Sequence, residues 1–390
     1  MRKPLLSALA GAVMLVVPAG ASAGQSHRPV CPGPAHAGAA LCHAHVVTDA
    51  RGTPHVTPAP AGYGPAQFRT AYNLPGAAPS AQTIAIVDAY DSPTVASDLN
   101  AYSSAYGLPQ CTSANPCFKK VNQNGVAGSY PRKDAGWGLE IALDVEIAHA
   151  ICPNCKILLV EASSNSLSNL AAAVNTAARL GATQISNSYG GGEYSGESGV
   201  TAYNHPGIAI TASSGDSGYG SSFPAADPHV VAVGGTTLTL GAGDAWAGES
   251  VWSGAGSGCS SYLAAQTWQS SLSNWSLTGC GTKRGIADVA ADADPATGAA
   301  VYDTTTYQGR SGWFKVGGTS LSSPLIAGVY ALAGNAASAS YPASLAYANP
   351  AALHDVTSGS NGSCTTVMCK GAAGYDGPTG LGTPNGVGGF

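Results

Sequence analysis

The stretch Thr83-Ile84-Ala85-Ile86-Val87-Asp88 is a short apolar run that predicts a β-strand, and an amphipathic stretch over 94–106 follows it. The same alternation continues along the chain. Further strands are predicted at 156–161, 184–188, 208–213 and 230–233, and further helices at 138–150, 167–180 and 320–334. Strands that alternate with helices indicate an α/β fold with a mostly parallel central sheet and helices on both faces. Ligands of such folds bind where loops leave the carboxyl ends of the strands.

The composition is that of a folded chain with few charges. Of 390 residues, 44% are hydrophobic and 9% are charged, and the formal net charge is -5. This length can build one large core or two ordinary domains. The 16 Lys and Arg residues supply no basic footprint, which argues against nucleic-acid binding. Because few carboxylates would have to be protonated on acidification, the composition also permits acid tolerance.

Residues 1–23 have the three parts of a secretory signal peptide. Arg2 and Lys3 form the basic start, residues 5–18 the apolar stretch, and Ala21-Ser22-Ala23 the cleavage site. A membrane anchor is the alternative, but the apolar run is too short to span a bilayer. We therefore expect a secreted, extracellular protein that is free of the membrane once the signal peptide is cleaved. We also expect the protein to be a monomer.

Ten cysteines, an even number in a secreted chain, predict disulfides. Pairing between neighbours in the sequence is the simplest hypothesis, although sequence alone does not fix it. It would join Cys31 to Cys42, Cys111 to Cys117, Cys152 to Cys155, Cys259 to Cys280 and Cys364 to Cys369. Cys31 and the run Cys42-His43-Ala44-His45 could instead bind a metal, but an oxidising compartment favours the disulfide.

The segment 24–61 is rich in Pro, Ala, His and Gly and has no sustained period. We interpret it as a linker or a disulfide-tied N-terminal arm, with no full propeptide domain. Residues 62–390 then form a single domain.

A candidate nucleophile lies in Gly317-Gly318-Thr319-Ser320-Leu321-Ser322-Ser323-Pro324, directly before an apolar helix. A Ser on a glycine-rich turn at a helix start has an exposed hydroxyl, and nearby backbone N–H groups could stabilise an oxyanion. The alternative is that Ser320 only caps the helix, since Ser and Thr are preferred there.

A candidate base lies in the predicted helix at 138–150. Glu140 and Asp144 are four residues apart, so both carboxyls lie on one helix face. Two close carboxyls can share a proton and raise the pKa of one of them, which lets the pair accept a proton from Ser in acid. A solvated acidic face is the alternative, made less favourable by the apolar residues that flank both acids.

A third acid, Asp216, lies in Ser213-Ser214-Gly215-Asp216-Ser217-Gly218, after the apolar run 208–210. A carboxyl on such a turn can be a simple turn-former. If it keeps its proton in acid, it can donate a hydrogen bond to a developing oxyanion.

These three segments, in this order, resemble the sedolisin family of serine-carboxyl peptidases, which has a subtilisin-like core. The resemblance covers the chain from about residue 61 to its end. It implies that Ser320 is the nucleophile, Glu140 the base, Asp144 the partner that orients it, and Asp216 the oxyanion donor. It further implies that Ser188, Tyr189 and Gly190 pair with bound substrate.

The C-terminal segments Leu353-His354-Asp355-Val356 and 374–382 resemble the calcium site of the same family. A hard cation takes oxygen ligands, which two carboxylates and backbone carbonyls supply. The resemblance implies calcium ligands from the side chains of Asp355 and Asp376 and from the carbonyls of Val356, Ala372 and Gly374. A pair of turn aspartates is the alternative reading.

Two features depart from the family pattern. Sedolisins usually carry a large folded propeptide, and the segment between the signal peptide and the domain is too short to bury a core of its own. A Val-Asp pair ends the first strand, as in subtilisins, but a subtilisin-type site also needs a His on the following helix. His149 is nine residues beyond Glu140 and faces a different direction, so we assign it to packing and Asp88 to an ordinary strand end.

The sequence thus predicts a secreted, acid-active serine endopeptidase that hydrolyses proteins or peptides through an acyl-enzyme. Two alternatives stay open at this point. One is a catalytically silent relative that serves as a binding protein, and the other is a neutral Ser/His/Asp hydrolase.

Overall fold

The computed structural model of the chain describes residues 25–33 and 36–390. The predicted signal peptide, residues 1–23, lies outside the described residues. Within them, no helix combines the length and the apolar character needed to cross a membrane.

The four helical stretches predicted at 94–106, 138–150, 167–180 and 320–334 are present, and three shorter α-helices were not predicted. The α-helices are α1 (Pro65–Ala71), α2 (Val95–Tyr106), α3 (Ala135–Ile151), α4 (Leu167–Arg179), α5 (Thr267–Ser270), α6 (Thr319–Ala333) and α7 (Ser344–Ala348).

The strands are more numerous than the sequence predicts. They are β1 (His27–Pro29), β2 (Leu41–Cys42), β3 (His45–Val47), β4 (Val56–Thr57), β5 (Thr83–Ala89), β6 (Phe118–Asn122), β7 (Lys156–Ala162), β8 (Gln184–Asn187), β9 (Tyr189–Gly190), β10 (Ala209–Ser213), β11 (Val231–Leu240), β12 (Trp246–Val251), β13 (Gly258–Ala264), β14 (Lys283–Ile286), β15 (Val289–Asp292), β16 (Ala299–Tyr307), β17 (Arg310–Gly317), β18 (Leu353–His354) and β19 (Thr383–Pro384).

The central sheet has the strand order β12-β11-β10-β8-β5-β7-β6, with β15 alongside β11. All of its pairs are parallel except that between β11 and the edge strand β12. Because β10 and β8 are buried along their whole length, both faces of the sheet are covered. The predicted α/β fold with a mostly parallel central sheet is confirmed.

Two buried helices, α3 and α6, carry the candidate base and the candidate nucleophile. The helices α3 and α6 pack on each other, and α6 also packs on β8, β10 and β15. Helix α4 packs on β5 and β7. The carboxyl ends of β5, β8 and β10 therefore lie near the beginning of α6, which is where a parallel sheet collects its functional loops.

The N-terminal arm is built into a second sheet. Strands β1 and β3 pair with each other, and β3 and β4 pair with β17, which runs directly into α6. Strand β2 pairs instead with β9, beside the central sheet. The arm is thus held by strand pairing on both sides of its disulfide.

All ten cysteines are paired, and the pairing is between neighbours in the sequence as predicted. The alternative of a metal site that uses Cys31 and Cys42 is wrong, because the two form a disulfide. Five disulfides fit a protein of an oxidising compartment.

Candidate active site

Ser320 is the second residue of α6. The helix begins after Gly318, whose φ of 99° lies in the left-handed region, and no side chain caps it. Ser320 therefore does not cap the helix, and the alternative interpretation is wrong. Its hydroxyl is buried and donates to the carbonyl oxygen of Ser188 at 3.2 Å.

A proline inside α6 fixes this region further. Pro324 has no N–H with which to complete the helical hydrogen bond to the carbonyl of Ser320, four residues earlier. That carbonyl accepts from the hydroxyl of Ser188 at 3.4 Å instead. Ser320 and Ser188 are thus joined by two hydrogen bonds that run in opposite directions.

Helix α3 is buried on all sides from Trp137 to Ile151, so Glu140 and Asp144 do not lie on a solvated face. Both side chains are fully buried. Burial is the main cause that raises the pKa of each carboxyl well above its ordinary value, and the charge of Asp144 raises that of Glu140 further. The buried acidic pair predicted from the sequence is present.

The pair lies next to the candidate nucleophile. Interaction with Ser320 lowers the pKa of Glu140, and interaction with Ser188 lowers that of Asp144, although burial outweighs both effects. The carboxyl oxygens of Glu140 and Asp144 form no hydrogen bond with any residue in the described ranges. Glu140 therefore lies close enough to Ser320 for the hydroxyl to affect its pKa, but the two side chains do not form a hydrogen bond in this structure.

Asp88 belongs to the same buried group of acids. It lies near the end of β5, and burial first, then the charge of Asp144, raises its pKa. Its own charge raises the pKa of Glu140 in turn. Asp88 is therefore more than an ordinary strand-end residue, and the Val87-Asp88 pair was the sequence signal for it.

Asp216 follows β10 and faces the start of α6. Its Oδ1 accepts from the N–H of Thr319 at 2.8 Å and from the Thr319 hydroxyl at 2.7 Å. Its Oδ2 is buried and has no hydrogen-bond partner among residues 25–33 and 36–390. Burial raises the pKa of Asp216 to about 8, which keeps the carboxyl protonated in acid.

Of these groups, Asp216 lines a cleft of about 400 Å³. Its walls include the glycines 190–192, the loop 214–222 and His43 of the N-terminal arm. Tyr189 and Gly190, predicted to pair with substrate, pair in this structure with Cys42 and Leu41 of that arm. The sequence did not predict that His43 lies in the site, because apolar residues follow no regular spacing in the segment 24–61 around it.

His149 lies outside this cluster. Its Nε2 contacts the carbonyl oxygen of Pro109 at 2.8 Å, and burial lowers its pKa. Its packing role is as predicted, and it is not the base of a neutral Ser/His/Asp site.

The residues predicted to bind calcium lie together in the C-terminal loops. The Asp355 carboxylate accepts from Gly374 N–H, and the Asp376 carboxylate accepts from Ala372 N–H, both at 2.9 Å. Burial raises the pKa of Asp376 to about 8, and the charge of Asp355 adds to this. Over the described part of the chain, neither aspartate makes a salt bridge. Two uncompensated carboxylates in one set of loops fit a hard cation.

Comparison with known proteins identifies the family. A family model described as the subtilase family matches residues 124–357. Sedolisin of Pseudomonas sp. (strain 101) is 28% identical over 368 residues, which cover 84% of this chain and 59% of sedolisin. Kumamolisin of Bacillus sp. (strain MN-32) is 31% identical over 372 residues, which cover 84% of this chain and 63% of kumamolisin.

Solved structures give the same result. Pseudomonas sedolisin, a serine-carboxyl proteinase complexed with two molecules of pseudo-iodotyrostatin, superposes with a TM-score of 0.68 at 27% identity, over 84% of this chain and 96% of that one. An S41 psychrophilic protease shares the fold, with a TM-score of 0.55 at 16% identity over 84% and 99% of the two chains. The chain spans about three-fifths of the length of the curated relatives it matches. It belongs to the subtilase family and, within it, to the sedolisin family of serine-carboxyl peptidases.

Proposed function

We propose that this protein is a secreted, acid-active serine-carboxyl endopeptidase that hydrolyses protein or peptide substrates. One observation carries the proposal: residues from three distant segments come together at the start of α6, where Glu140 interacts with Ser320 and Asp216 accepts two hydrogen bonds from the adjacent Thr319. Asp216 also lines the cleft. Membership of the sedolisin family supports the same activity.

The first step is attack by the Ser320 hydroxyl oxygen on the substrate carbonyl carbon. Glu140 accepts the hydroxyl proton and later passes it to the leaving amine, so that an acyl-enzyme and a free amine result. Water then attacks the acyl-enzyme by the same route and releases the acid product. Asp144 keeps the proton next to Glu140. Asp88 is a third acid in the same group, so the pKa values of these carboxyls belong to the three together and not to any one of them.

Asp216 and the backbone N–H of Ser320 stabilise the negative charge that develops on the substrate oxygen. Since Oδ1 of Asp216 already accepts two hydrogen bonds, its proton is carried by Oδ2, which makes no hydrogen bond and lies 3.7 Å from Nε2 of His45. A neutral carboxylic acid fixed in this way donates to the oxyanion.

Acid activity follows from the state of these carboxyls. Burial disfavours more than one negative charge in the cluster of Glu140, Asp144 and Asp88, so the other members keep their protons. Asp216 loses its proton as the pH approaches about 8, and the oxyanion then loses a donor. We expect a maximum below about pH 5 and little activity near pH 8.

Calcium is the proposed cofactor. The side chains of Asp355 and Asp376 and the carbonyls of Val356, Ala372 and Gly374 would hold it, and its chemistry there is structural stabilisation of the C-terminal loops. Secretion is supported by the five disulfides, and peptide substrates by the relatives. We further propose that the protein works as a monomer, with no nucleic-acid or membrane partner.

Hydrolysis of a denatured protein between pH 2 and 8, by wild type and by Ser320→Ala, tests this function. Wild type should be most active in acid, and Ser320→Ala should be inactive at every pH. A wild-type rate that climbs through neutrality would refute the carboxyl mechanism. Acid hydrolysis that survives in Ser320→Ala would refute the nucleophile.

A further inference from the structure

One part of the cleft has walls of small residues. The glycines 190–192 form one wall, and the loop 214–222 forms the other. Apart from Asp216 and Tyr219, every residue of these two walls is a glycine or a serine. A Cβ added to Gly192 would meet no atom within 4 Å, so the space beside it is open. This part of the cleft therefore leaves room for a long side chain of a substrate.

Glu193 follows the glycine wall directly in the chain. One oxygen of its carboxylate accepts from the hydroxyl of Ser221, a residue of the opposite wall, and from the N–H of Ser261 at 3.2 Å. The other oxygen accepts from the hydroxyl of Ser260. Glu193 is half-buried, and its carboxylate is one hydrogen bond away from a residue that lines the cleft.

A second acid lies next to Glu193. Glu197 is fully buried, and its Oε2 accepts from the N–H of Tyr194 at 3.0 Å, while its Oε1 has no hydrogen-bond partner in the described ranges. Burial is the main cause that raises the pKa of Glu197 to about 8, and its contact with Glu193 contributes. In acid Glu197 is therefore protonated and can donate to Glu193, which adds to the donors that stabilise a negative charge there.

The negative charge of Glu193 has no positive partner in the described part of the chain. Of the five salt bridges found there, none involves Glu193 or Glu197. The groups that donate to Glu193 are neutral: two hydroxyls and one backbone N–H. A negative charge that neutral donors hold beside a cleft attracts a positively charged ligand.

The hydroxyl of Ser214 is a second group of the cleft that lacks a partner. Ser214 is fully buried and lines the cleft, and its hydroxyl forms no hydrogen bond with any residue that the structure describes. A buried hydroxyl without a partner is unfavourable, and an N–H group of a ligand can satisfy it. Ser214 and Glu193 thus offer a neutral and a charged acceptor at the same cleft.

Asp216 relates these groups to the bond that is cut. It lies on the loop 214–222, between Ser214 and Ser221. In the proposed mechanism its carboxyl holds the oxygen of the attacked carbonyl. The Cα bonded to that carbonyl carries the side chain of the substrate residue on the acyl side of the cut. That side chain consequently enters the cleft next to the loop 214–222.

We propose that Glu193 determines specificity by binding the positive charge of a lysine or arginine on the acyl side of the bond that is cut. The inference rests on the proposed peptidase function and names its substrates, which are proteins and peptides cut after a basic residue. Both side chains have a long unbranched stem that suits walls of glycine and serine. Both also end in several N–H donors, which suit the acceptors of Glu193 and Ser214.

Two fluorogenic peptides that differ only in this residue, lysine in one and methionine in the other, test the proposal. Methionine is also unbranched but carries no charge. At about pH 4 we expect wild type to have a kcat/KM about 10- to 100-fold higher for the lysine peptide, because only that peptide can pair with Glu193. Equal values of kcat/KM for the two peptides would overturn the proposal.

Glu193→Gln keeps the size of the side chain and removes its charge. The kcat/KM for the lysine peptide should fall about 10- to 100-fold while that for the methionine peptide stays the same, so that their ratio approaches about 1. The methionine peptide also reports on folding, because a misfolded variant would lose both activities. An equal loss for the two peptides would mean that Glu193 only joins the two walls of the cleft, and would overturn the proposal.

Asp294→Asn is the matched control. Asp294 is another half-buried carboxylate, which accepts from the hydroxyl of Thr237 at 2.8 Å and from the N–H of Ala296 at 2.9 Å, and it does not line the cleft. This variant should keep the wild-type ratio between the two peptides. A ratio that falls as far in Asp294→Asn as in Glu193→Gln would show that the preference does not depend on Glu193, and would overturn the proposal.

The fragments of a denatured protein, identified by mass spectrometry, separate the inference from the proposed function. Wild type should cut mainly after lysine and arginine, and Glu193→Gln should lose this bias. If wild type cuts the protein without a bias toward basic residues, and Ser320→Ala does not cut it, the specificity assigned to Glu193 is overturned and the peptidase function stands. If wild type produces no fragments at any pH, the proposed function falls and the inference falls with it.

Discussion

Thr319 donates two hydrogen bonds to a single oxygen, Oδ1 of Asp216: one from its N–H at 2.8 Å and one from its hydroxyl at 2.7 Å. The second carboxyl oxygen of Asp216 is buried and has no hydrogen-bond partner in the described ranges, although Nε2 of His45 lies 3.7 Å from it. The side chain is only 6% exposed, and burial raises its pKa to about 8. Thr319 thus fixes the carboxyl group so that its second oxygen lies beside Gly318, directly before α6.

Asp216→Ala should lower kcat on a peptide substrate by about 100- to 1,000-fold in acid, because one oxyanion donor is lost. KM should change little, since the interaction is made mainly in the transition state. Asp216→Asn, whose amide can still donate, should lose less. Asp227→Asn alters another buried aspartate, which contacts His229, and serves as the control. Equal kcat for Asp216→Ala and wild type would remove Asp216 from the mechanism.

Glu140→Gln should reduce kcat by about 100- to 10,000-fold, because the amide cannot accept the Ser320 proton. Glu146→Gln is a matched control: it changes a fully buried acid on the same helix, whose carboxylate accepts from Tyr302 N–H at 2.9 Å. Steady-state kinetics at about pH 4, on samples shown to be folded by circular dichroism, compare the two. A larger loss of kcat in Glu146→Gln than in Glu140→Gln would contradict the assignment of the base.

Most of the central sheet could be predicted from the sequence because each strand is a short apolar run between turns. The run 83–88 and strand β5 differ by one residue, and the predicted helix 138–150 lies inside α3. The buried acidic pair could be predicted for the same reason, since Glu140 and Asp144 interrupt a helix that is otherwise apolar on all sides.

The N-terminal arm could not be predicted in this way. Its strands β1 to β4 are two or three residues long, too short for any period to show. They exist because β17, β9 and the disulfide of Cys31 and Cys42 supply partners that are distant in the chain. The position of His43 beside Ser320 depends on those distant partners and has no local signal.

Calcium should raise the melting temperature of the protein by several degrees, about 2–6 °C, because a ligand that binds only the folded state stabilises it. The ion would also neutralise the negative charges of the Asp355 and Asp376 carboxylates. Differential scanning fluorimetry after chelation, with calcium then added back, measures this without reference to activity.

Asp355→Asn should abolish the response to calcium. Asp49→Asn changes an exposed turn aspartate of the N-terminal arm and should leave the response intact. A melting temperature that is the same with and without calcium in wild type, or a full response in Asp355→Asn, would rule out the proposed ligands.

Stability should be greater in acid than at neutral pH. Burial raises the pKa of Asp216 and Glu161 to about 8 and that of Asp303 to about 6, each above its value in the unfolded chain. The folded state then holds protons that the unfolded state has lost, so the free energy of unfolding falls as pH rises from about 4 to about 8. These groups make their full contribution to the free energy of unfolding below about pH 4. The contribution is lost once the pH exceeds their pKa values in the folded state.

Histidines whose pKa values burial lowers, among them His149, act in the opposite direction. Burial lowers the pKa of His43 to about 4 and that of His45 to about 3, so the unfolded chain binds protons first as pH falls below about 6.5. Because the raised carboxyls outnumber them, urea unfolding in a series of buffers should give a midpoint that declines from about pH 5 to pH 8. Asp303→Asn should flatten the part of this decline near pH 6. A midpoint that rises steadily toward pH 8 would mean that the buried acids are ionised in the folded protein, and the proton network assigned to Glu140, Asp144 and Asp216 would then be wrong as well.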